Sequence, residues 1–452
     1  MVIVSTCAAC AACSGGVAGS GDETMIAAVK NAGRPPKNVW QTPAQSACMN
    51  PLLSRLQPYP FERLRQLFAG VTPPAHFFPI NLGIGEPRHA APALLKQALA
   101  QALDAGLAAY PATLGQPALR QACARWLYRR YGVTVDAQRQ VLPVLGTREA
   151  LFALAQTVID PGRPRPTVAC PNPFYQIYEG AALLAGAEPH FVPSDAARNF
   201  APRWDLVPPE VWARTQLVYV CSPGNPAGAV MPLQEWQMLF RLSDEHGFVI
   251  ASDECYSEIY FDDARPPLGG LEAAARLGRD DFRRLVMLTS LSKRSNVPGL
   301  RSGFVAGDAD ILKSFLLYRT YHGSAMGGAV QAASVAAWDD EAHVQANRAL
   351  YRAKFAQVMP LLEPVLDVRL PDASFYLWAG VPAAFGGDDA AFARALYEQY
   401  NVTVLPGSYL ACEADGRNPG AGRVRLALVA EVDECVEAAR RIVRFITKKA
   451  GV

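Results

Sequence analysis

Ser290-Leu291-Ser292-Lys293, with Arg301 eight residues after the lysine, is the stretch that decides the reading of this chain. It follows Arg284-Leu285-Val286-Met287-Leu288, an apolar run with the character of a buried strand. A lysine just past such a strand can be held away from water. Desolvation disfavours its ammonium form and leaves a nucleophilic amine able to condense with carbonyls. The two hydroxyls and the arginine around it suit a phosphate. An imine-forming lysine beside a phosphate site points to pyridoxal 5′-phosphate. A solvated loop lysine has the same local sequence, so the rest of the chain must decide.

The 452 residues are 50% hydrophobic and 19% charged, the balance of a globular chain long enough for two or three domains. A net charge of +2 offers no electrostatic footprint for nucleic acid or a membrane surface. No apolar run reaches the roughly 18 residues that a spanning helix needs. Residues 1–48 form a leader rich in Ala, Gly, Ser and Cys without helix or strand period, and predict a disordered extension. Its Cys7, Cys10 and Cys13 lack a fourth nearby ligand, so no metal site is expected. Met49 opens a well-patterned segment and is a candidate start of translation. Cys123, Cys170, Cys221, Cys255, Cys412 and Cys435 are widely spaced and read as buried thiols of a cytoplasmic protein.

From about Thr113 strands and helices alternate. Strands are expected at Val141–Leu145, Thr167–Cys170, Leu217–Cys221, Phe248–Ser252, Leu285–Leu288 and Gly303–Ala306. Helices are expected at Thr147–Ile159, Tyr175–Ala185 and Leu233–His246. That order predicts an α/β fold with a mostly parallel buried sheet. Past Ala325 a long helix, Glu341–Leu362, precedes strands at Val365–Leu370, Phe375–Ala379, Val402–Leu405 and Arg423–Leu428, with helices at 389–400 and 431–448. The expected organisation is an arm with part of a small domain over 49–95, a large domain over 96–325, and a connecting helix with the rest of a smaller α+β domain over 326–452.

Polar residues gather at the predicted strand ends, where open α/β sheets bind ligands. Asp253 ends one run, with Tyr256 three residues on. Ser222-Pro223-Gly224-Asn225-Pro226 follows another. Gly146-Thr147-Arg148 opens a helix whose free N–H groups suit a phosphate. Each has a plainer reading alone. Asp253 could cap a helix, Asn225-Pro226 could be a turn, and Gly146-Thr147 a strand-to-helix cap. Tyr175 could be packing, and Arg425 could serve a structural ion pair. Their joint order favours one site.

In that order the chain resembles the fold-type I pyridoxal-phosphate enzymes, specifically the class I/II aminotransferases, over about residues 50–448. The resemblance implies the following roles. Lys293 would anchor the cofactor covalently. Asp253 would pair with the pyridine nitrogen, and Asn225 and Tyr256 with the ring hydroxyl. Tyr175 would stack on the ring. Gly146, Thr147, Arg148, Ser290, Ser292 and Arg301 would hold the phosphate, helped by Tyr110 of a neighbouring subunit in a homodimer with shared sites. Arg425 would clamp the substrate α-carboxylate, with Gly85 lining the substrate side. Ala227 stands where the family usually has threonine, a turn-shaping position. Asn50–Leu56, Gly146–Phe152, Asn172–Tyr178 and Ser292–Arg301 are most similar to the succinyldiaminopimelate aminotransferases of proteobacteria. That implies exchange of an amino group between glutamate and N-succinyl-2-amino-6-oxopimelate. Aspartate-, acetylornithine- or aromatic-type aminotransfer and C–S lysis are the alternatives within the fold. Arg294 is the candidate for a distal carboxylate. A nicotinamide dehydrogenase would want a third glycine after Gly83 and Gly85, and none follows at the required spacing. A DNA-binding regulator would want a basic module, and the leader is too short and poor in charge.

Overall fold

A computed structural model of the chain describes residues 49–450, residue 415 excepted. The leader, its Cys7, Cys10 and Cys13, and the question of Met49 as a start concern residues outside that range or at its edge. Eight strands build the main sheet: β1 (Val141–Val144), β2 (Thr167–Asn172), β3 (Glu188–Asp195), β4 (Ala201–Pro202), β5 (Thr215–Cys221), β6 (Val249–Asp253), β7 (Leu285–Ser290) and β8 (Gly303–Gly307). Their spatial order is β1-β8-β7-β6-β5-β2-β3-β4. The run from β7 to β3 is parallel throughout, while β8 runs against both neighbours and β4 against β3. The expected mostly parallel sheet is present.

Its sequence cause is plain in the central strands. Leu217 and Tyr219 of β5 join one buried cluster while Val218 and Val220 join the other, so the strand is apolar on both faces. In β6, Val249 and Ala251 alternate with Ile250 in the same way. A sheet so lined must be covered on both sides, and helices do this. The register sets Cys221 beside Asp253 and Asp253 beside Leu288, which brings the carboxyl ends of β5, β6 and β7 to one rim.

A three-stranded antiparallel sheet holds β9 (Tyr376–Gly380), β10 (Leu405–Pro406) and β11 (Arg423–Ala427), with β11 in the middle. It shares a core with Ile80, Leu82, Phe355, Leu396 and Phe445. Residues 80–81 pair in parallel with 402–403, which fastens the segment before Gly83 to this core. The site below uses four helices: α1 (Thr147–Val158), α2 (Ile177–Leu184), the single turn α3 (Leu291–Arg294) and α4 (Ala342–Leu362).

The expected strand at Val365–Leu370 does not form. Only Asp367 bridges, to Gly380. Pro364 and Pro371 flank the run and withhold ladder donors, and Leu370 is exposed. The helix Gly328–Asp339 and the strand β3 were not anticipated. β3 carries two prolines, which read as breakers but are tolerated because only the two-residue β4 borders its outer side.

Candidate active site

At the rim made by β5, β6 and β7 lies a cavity of about 540 Å³. Of the residues singled out from the sequence, Gly85, Thr147, Arg148, Tyr175, Asn225, Asp253, Tyr256, Ser290, Ser292, Lys293, Arg301 and Arg425 line it. Gly146 sits immediately behind, as the N-cap of α1. Tyr110 does not line it and is fully exposed.

Lys293 leaves β7 on the turn α3, which aims its side chain back over the sheet rim. Its ammonium donates to the Gly85 carbonyl and lies 5.4 Å from the centre of the Phe375 ring. Burial pushes the amine down to about 8, against 10.5 for an ordinary lysine, with Arg425 and Arg148 adding to the fall. The consequence has a definite sign. Below pH 8 the group is an unreactive ammonium, and above it a free amine. In the cofactor-free protein, acylation of Lys293 by an amine-directed reagent should reach half its limiting rate near pH 8, well below the 10.5 of an ordinary lysine. Peptide mapping across pH 6–11 reads this directly.

Asp253 ends β6 and is buried. Its Oδ2 accepts a hydrogen bond from Tyr178 Oη of α2 at 2.8 Å, while its Oδ1 is buried without a partner among the described residues. Burial raises its carboxyl above the usual range, and the Tyr178 hydroxyl partly opposes this. An unpaired buried carboxylate oxygen is costly, on the order of 1–3 kcal/mol or more, and calls for a donor from outside the chain.

Gly146 has φ +85°, and a Cβ there would lie 2.5 Å from Arg301 Nη2. Glycine alone allows both the backbone turn and the close guanidinium. Arg301 is held by the carbonyls of Leu145 (3.0 Å) and Pro298 (2.8 Å). Thr147 Oγ1 lies 2.9 Å from Cys255 Sγ. No side chain caps the N-terminus of α1, so its N–H groups remain open beside Ser290, Ser292 and Arg301.

Arg425 lies in the middle of β11 and is buried. Its Nη1 donates to Asn225 Oδ1 at 2.8 Å and its Nη2 to the Gly83 carbonyl at 2.7 Å, while Nε has no partner among the described residues. No acid pairs with it among the described residues, which removes the structural ion-pair reading. Its guanidinium stands 4.3 Å over the Tyr376 ring. Tyr376 Oη lies 3.0 Å from Tyr256 Oη, and a Cβ on Gly85 would meet that Tyr376 oxygen at 2.0 Å. Gly85 is therefore required by close approach. Tyr175 Oη accepts from Arg148 Nε at 2.7 Å.

These residues fit a phosphorylated pyridine aldehyde. One end offers hydroxyls, an arginine and an open helix terminus for a dianion. The other offers the orphaned Asp253 oxygen for a ring N–H, and the amine of Lys293 faces the same cavity. No group of three or more His, Cys, Asp or Glu that could hold a metal occurs among the described residues.

The sequence reading missed Tyr178 and Tyr376. Tyr178 stands three residues after Tyr175, a helical spacing that could have flagged it. Tyr376 comes from another sheet and carries no local signal. Arg294 is a correction. It is buried, donates to the carbonyls of Ala337 and Asp340, and pairs with Glu341 at 2.7 Å, away from the cavity lining. The turn α3 points residue 293 at the cavity and its neighbour 294 into the core.

A family model, aminotransferase class I and II, matches residues 79–442. An LL-diaminopimelate aminotransferase of Desulforudis audaxviator is 33% identical over 394 residues, covering 86% of this chain and 96% of that protein. An aminotransferase from Neisseria meningitidis has a crystal structure with TM-score 0.84 and 57% identity, covering 88% of this chain and 100% of that one. A Thermus thermophilus protein, described as a probable N-succinyldiaminopimelate aminotransferase, has TM-score 0.74 and 26% identity, covering 85% and 100%.

Proposed function

The chain belongs to the class I and II aminotransferases, whose members use pyridoxal phosphate, and from that premise we propose that it exchanges an amino group between L-glutamate and N-succinyl-2-amino-6-oxopimelate. The observation that carries the chemistry is the cavity itself, with a low-pKa amine, an orphaned carboxylate oxygen and an acid-free buried arginine all on its wall. The choice of substrate rests on the four motif runs named above and on the likeness to the Thermus protein. A second reading, LL-diaminopimelate as the amino donor, is favoured by the names of the curated relatives.

When bound, pyridoxal phosphate supplies an aldehyde carbon for amines and a ring that draws electrons from the substrate Cα–H bond. The rest is done by the chain. Ser290, Ser292, Arg301 and the start of α1 would hold the phosphate. Asp253 would keep a proton on the ring nitrogen. Arg425 fixes the α-carboxylate and so the direction of the Cα–H bond. Lys293, whose amine faces the cavity, would take the proton from Cα as general base and return one as general acid. The two half-reactions share this site, which gives ping-pong kinetics. Tyr110, exposed in one chain, would reach the phosphate of a second copy in a homodimer.

Glutamate-dependent turnover measured side by side on the succinylated keto acid, oxaloacetate and an acetylornithine-type aldehyde tests the assignment, with LL-diaminopimelate and 2-oxoglutarate as the other arm. The highest kcat/KM is expected on the succinylated acid. A preference for LL-diaminopimelate would establish the second reading. Arg425→Ala should raise KM for every carboxylate substrate by about 10²-fold, the effect of losing a charge-assisted pair of roughly 3 kcal/mol, with a smaller change in kcat. Steady-state kinetics on glutamate and one keto acid checks this.

A further inference from the structure

Three buried polar side chains behind the site have no part in the chemistry above. Lys354 of α4 is wholly buried, and its ammonium lies 2.6 Å from His89 Nε2 and 3.4 Å from the Val429 carbonyl. His89 Nδ1 lies 2.8 Å from Asn347 Oδ1, and Asn347 Nδ2 faces the carbonyls of Lys293 (3.3 Å) and Arg294 (3.4 Å). The donors run in one direction. An ammonium only donates, so Nε2 of His89 accepts. Nδ1 therefore carries the ring proton and donates to Asn347 Oδ1. Asn296 Nδ2 donates to that same oxygen at 2.8 Å, which fixes the amide orientation and leaves Asn347 Nδ2 for the two carbonyls.

This chain of bonds ends on the peptide of the reactive lysine. It begins in the same loop that receives that lysine's amine, since His89 lies four residues after Gly85. Two residues before Gly85, the Gly83 carbonyl holds Arg425. One segment, 83–89, thus touches the carboxylate-facing arginine, the amine, and the support of the turn that carries the amine. Burying an ammonium, an imidazole and an amide together is expensive unless each is satisfied. A core built only for stability would fill this space with apolar side chains.

We infer that His89, Asn347 and Lys354 are positioning residues for Lys293, which set the carbonyl end of its turn so that the amine meets its target. This rests on the reading of Lys293 as the reacting amine.

The test compares His89→Leu, which breaks the chain, with His89→Gln, whose oxygen can accept from Lys354 and whose N–H can donate to Asn347. Asn347→Asp is added; it keeps the acceptor for His89 but turns an oxygen on the Lys293 carbonyl. His89→Leu and Asn347→Asp should each lower kcat by about 10–10²-fold, the cost of a misplacement of order 1 Å, with KM for glutamate within about two-fold. His89→Gln should recover most of that loss. In the cofactor-free protein, the Ser295 amide, which closes α3 on the Leu291 carbonyl, should exchange about ten-fold faster in the two damaging variants only. Should His89→Leu not fold, Asn347→Asp carries the comparison with His89→Gln. Unchanged kcat and unchanged Ser295 exchange would overturn the inference, as would a glutamine variant no better than leucine. Lys293→Ala measured in parallel separates the failures. If it still turns over, the role of Lys293 itself is wrong. If it is inert while the network variants are normal, only the positioning role falls.

Discussion

Lys293→Ala should lose turnover by at least about 10⁴-fold, the combined loss of a nucleophile and of a general acid/base. The size follows from how many tasks converge on one atom. The amine faces the cavity, is lowered to about 8 by burial, and is anchored by the Gly85 carbonyl. Among the described residues no other lysine lines the cavity, so none of them can take over its work. Lys354, the other amine lowered to about 8, is spent on His89 and the Val429 carbonyl. Fold should be little affected, because alanine suits a helical turn and Lys293 forms no ion pair among the described residues. The expected result is therefore a folded protein with an unchanged far-ultraviolet spectrum and no measurable amino transfer. Addition of a small primary amine should restore a fraction of the rate by supplying the missing base.

Asp253→Asn is the second large effect, a fall in kcat of about 10²-fold or more with little change in cofactor retention. Tyr178 Oη donates to the carboxylate and would turn the amide oxygen toward itself. The amide N–H₂ would then occupy the place of the unpaired Oδ1 and present a donor to the cavity. A pyridine nitrogen facing a donor stays unprotonated, and the ring loses most of its pull on electrons. Retention should survive because the phosphate end and Lys293 are untouched. The stability sign is opposite to the activity sign. Burial raises the Asp253 carboxyl, so the ionised form costs the cofactor-free fold stability above the usual carboxylate range. A neutral amide removes that cost, and the cofactor-free variant should melt at the same temperature or higher. Calorimetry of the cofactor-free pair checks this half, and stopped-flow single-turnover rates check the other.

Much of this site was legible because its residues sit at the ends of strands that announce themselves. Val218, Val220, Ile250 and Val286 mark β5, β6 and β7 as doubly buried, and the first polar residues past such strands must lie on the rim. Gly146 was legible for a related reason, since Gly146-Thr147-Arg148 follows a strand directly and opens a helix. Contacts made across the chain were not legible. Tyr376 reaches Tyr256 from another sheet, and His89 meets Lys354 across 265 positions with no periodic pattern to link them. Arg294 failed because the direction of residues 293 and 294 depends on a four-residue turn whose phase no pattern in so short a run can fix. Val365–Leu370 failed because apolar content alone does not make a strand between two prolines.

The most direct measurement is chemical mapping of the cofactor attachment. The native protein is incubated with pyridoxal phosphate, reduced with borohydride, digested and analysed by mass spectrometry, with Asp253→Asn as a companion sample. A single phosphopyridoxyl label on Lys293 in both is the predicted result. A label on any other lysine, or none on Lys293, would contradict the account.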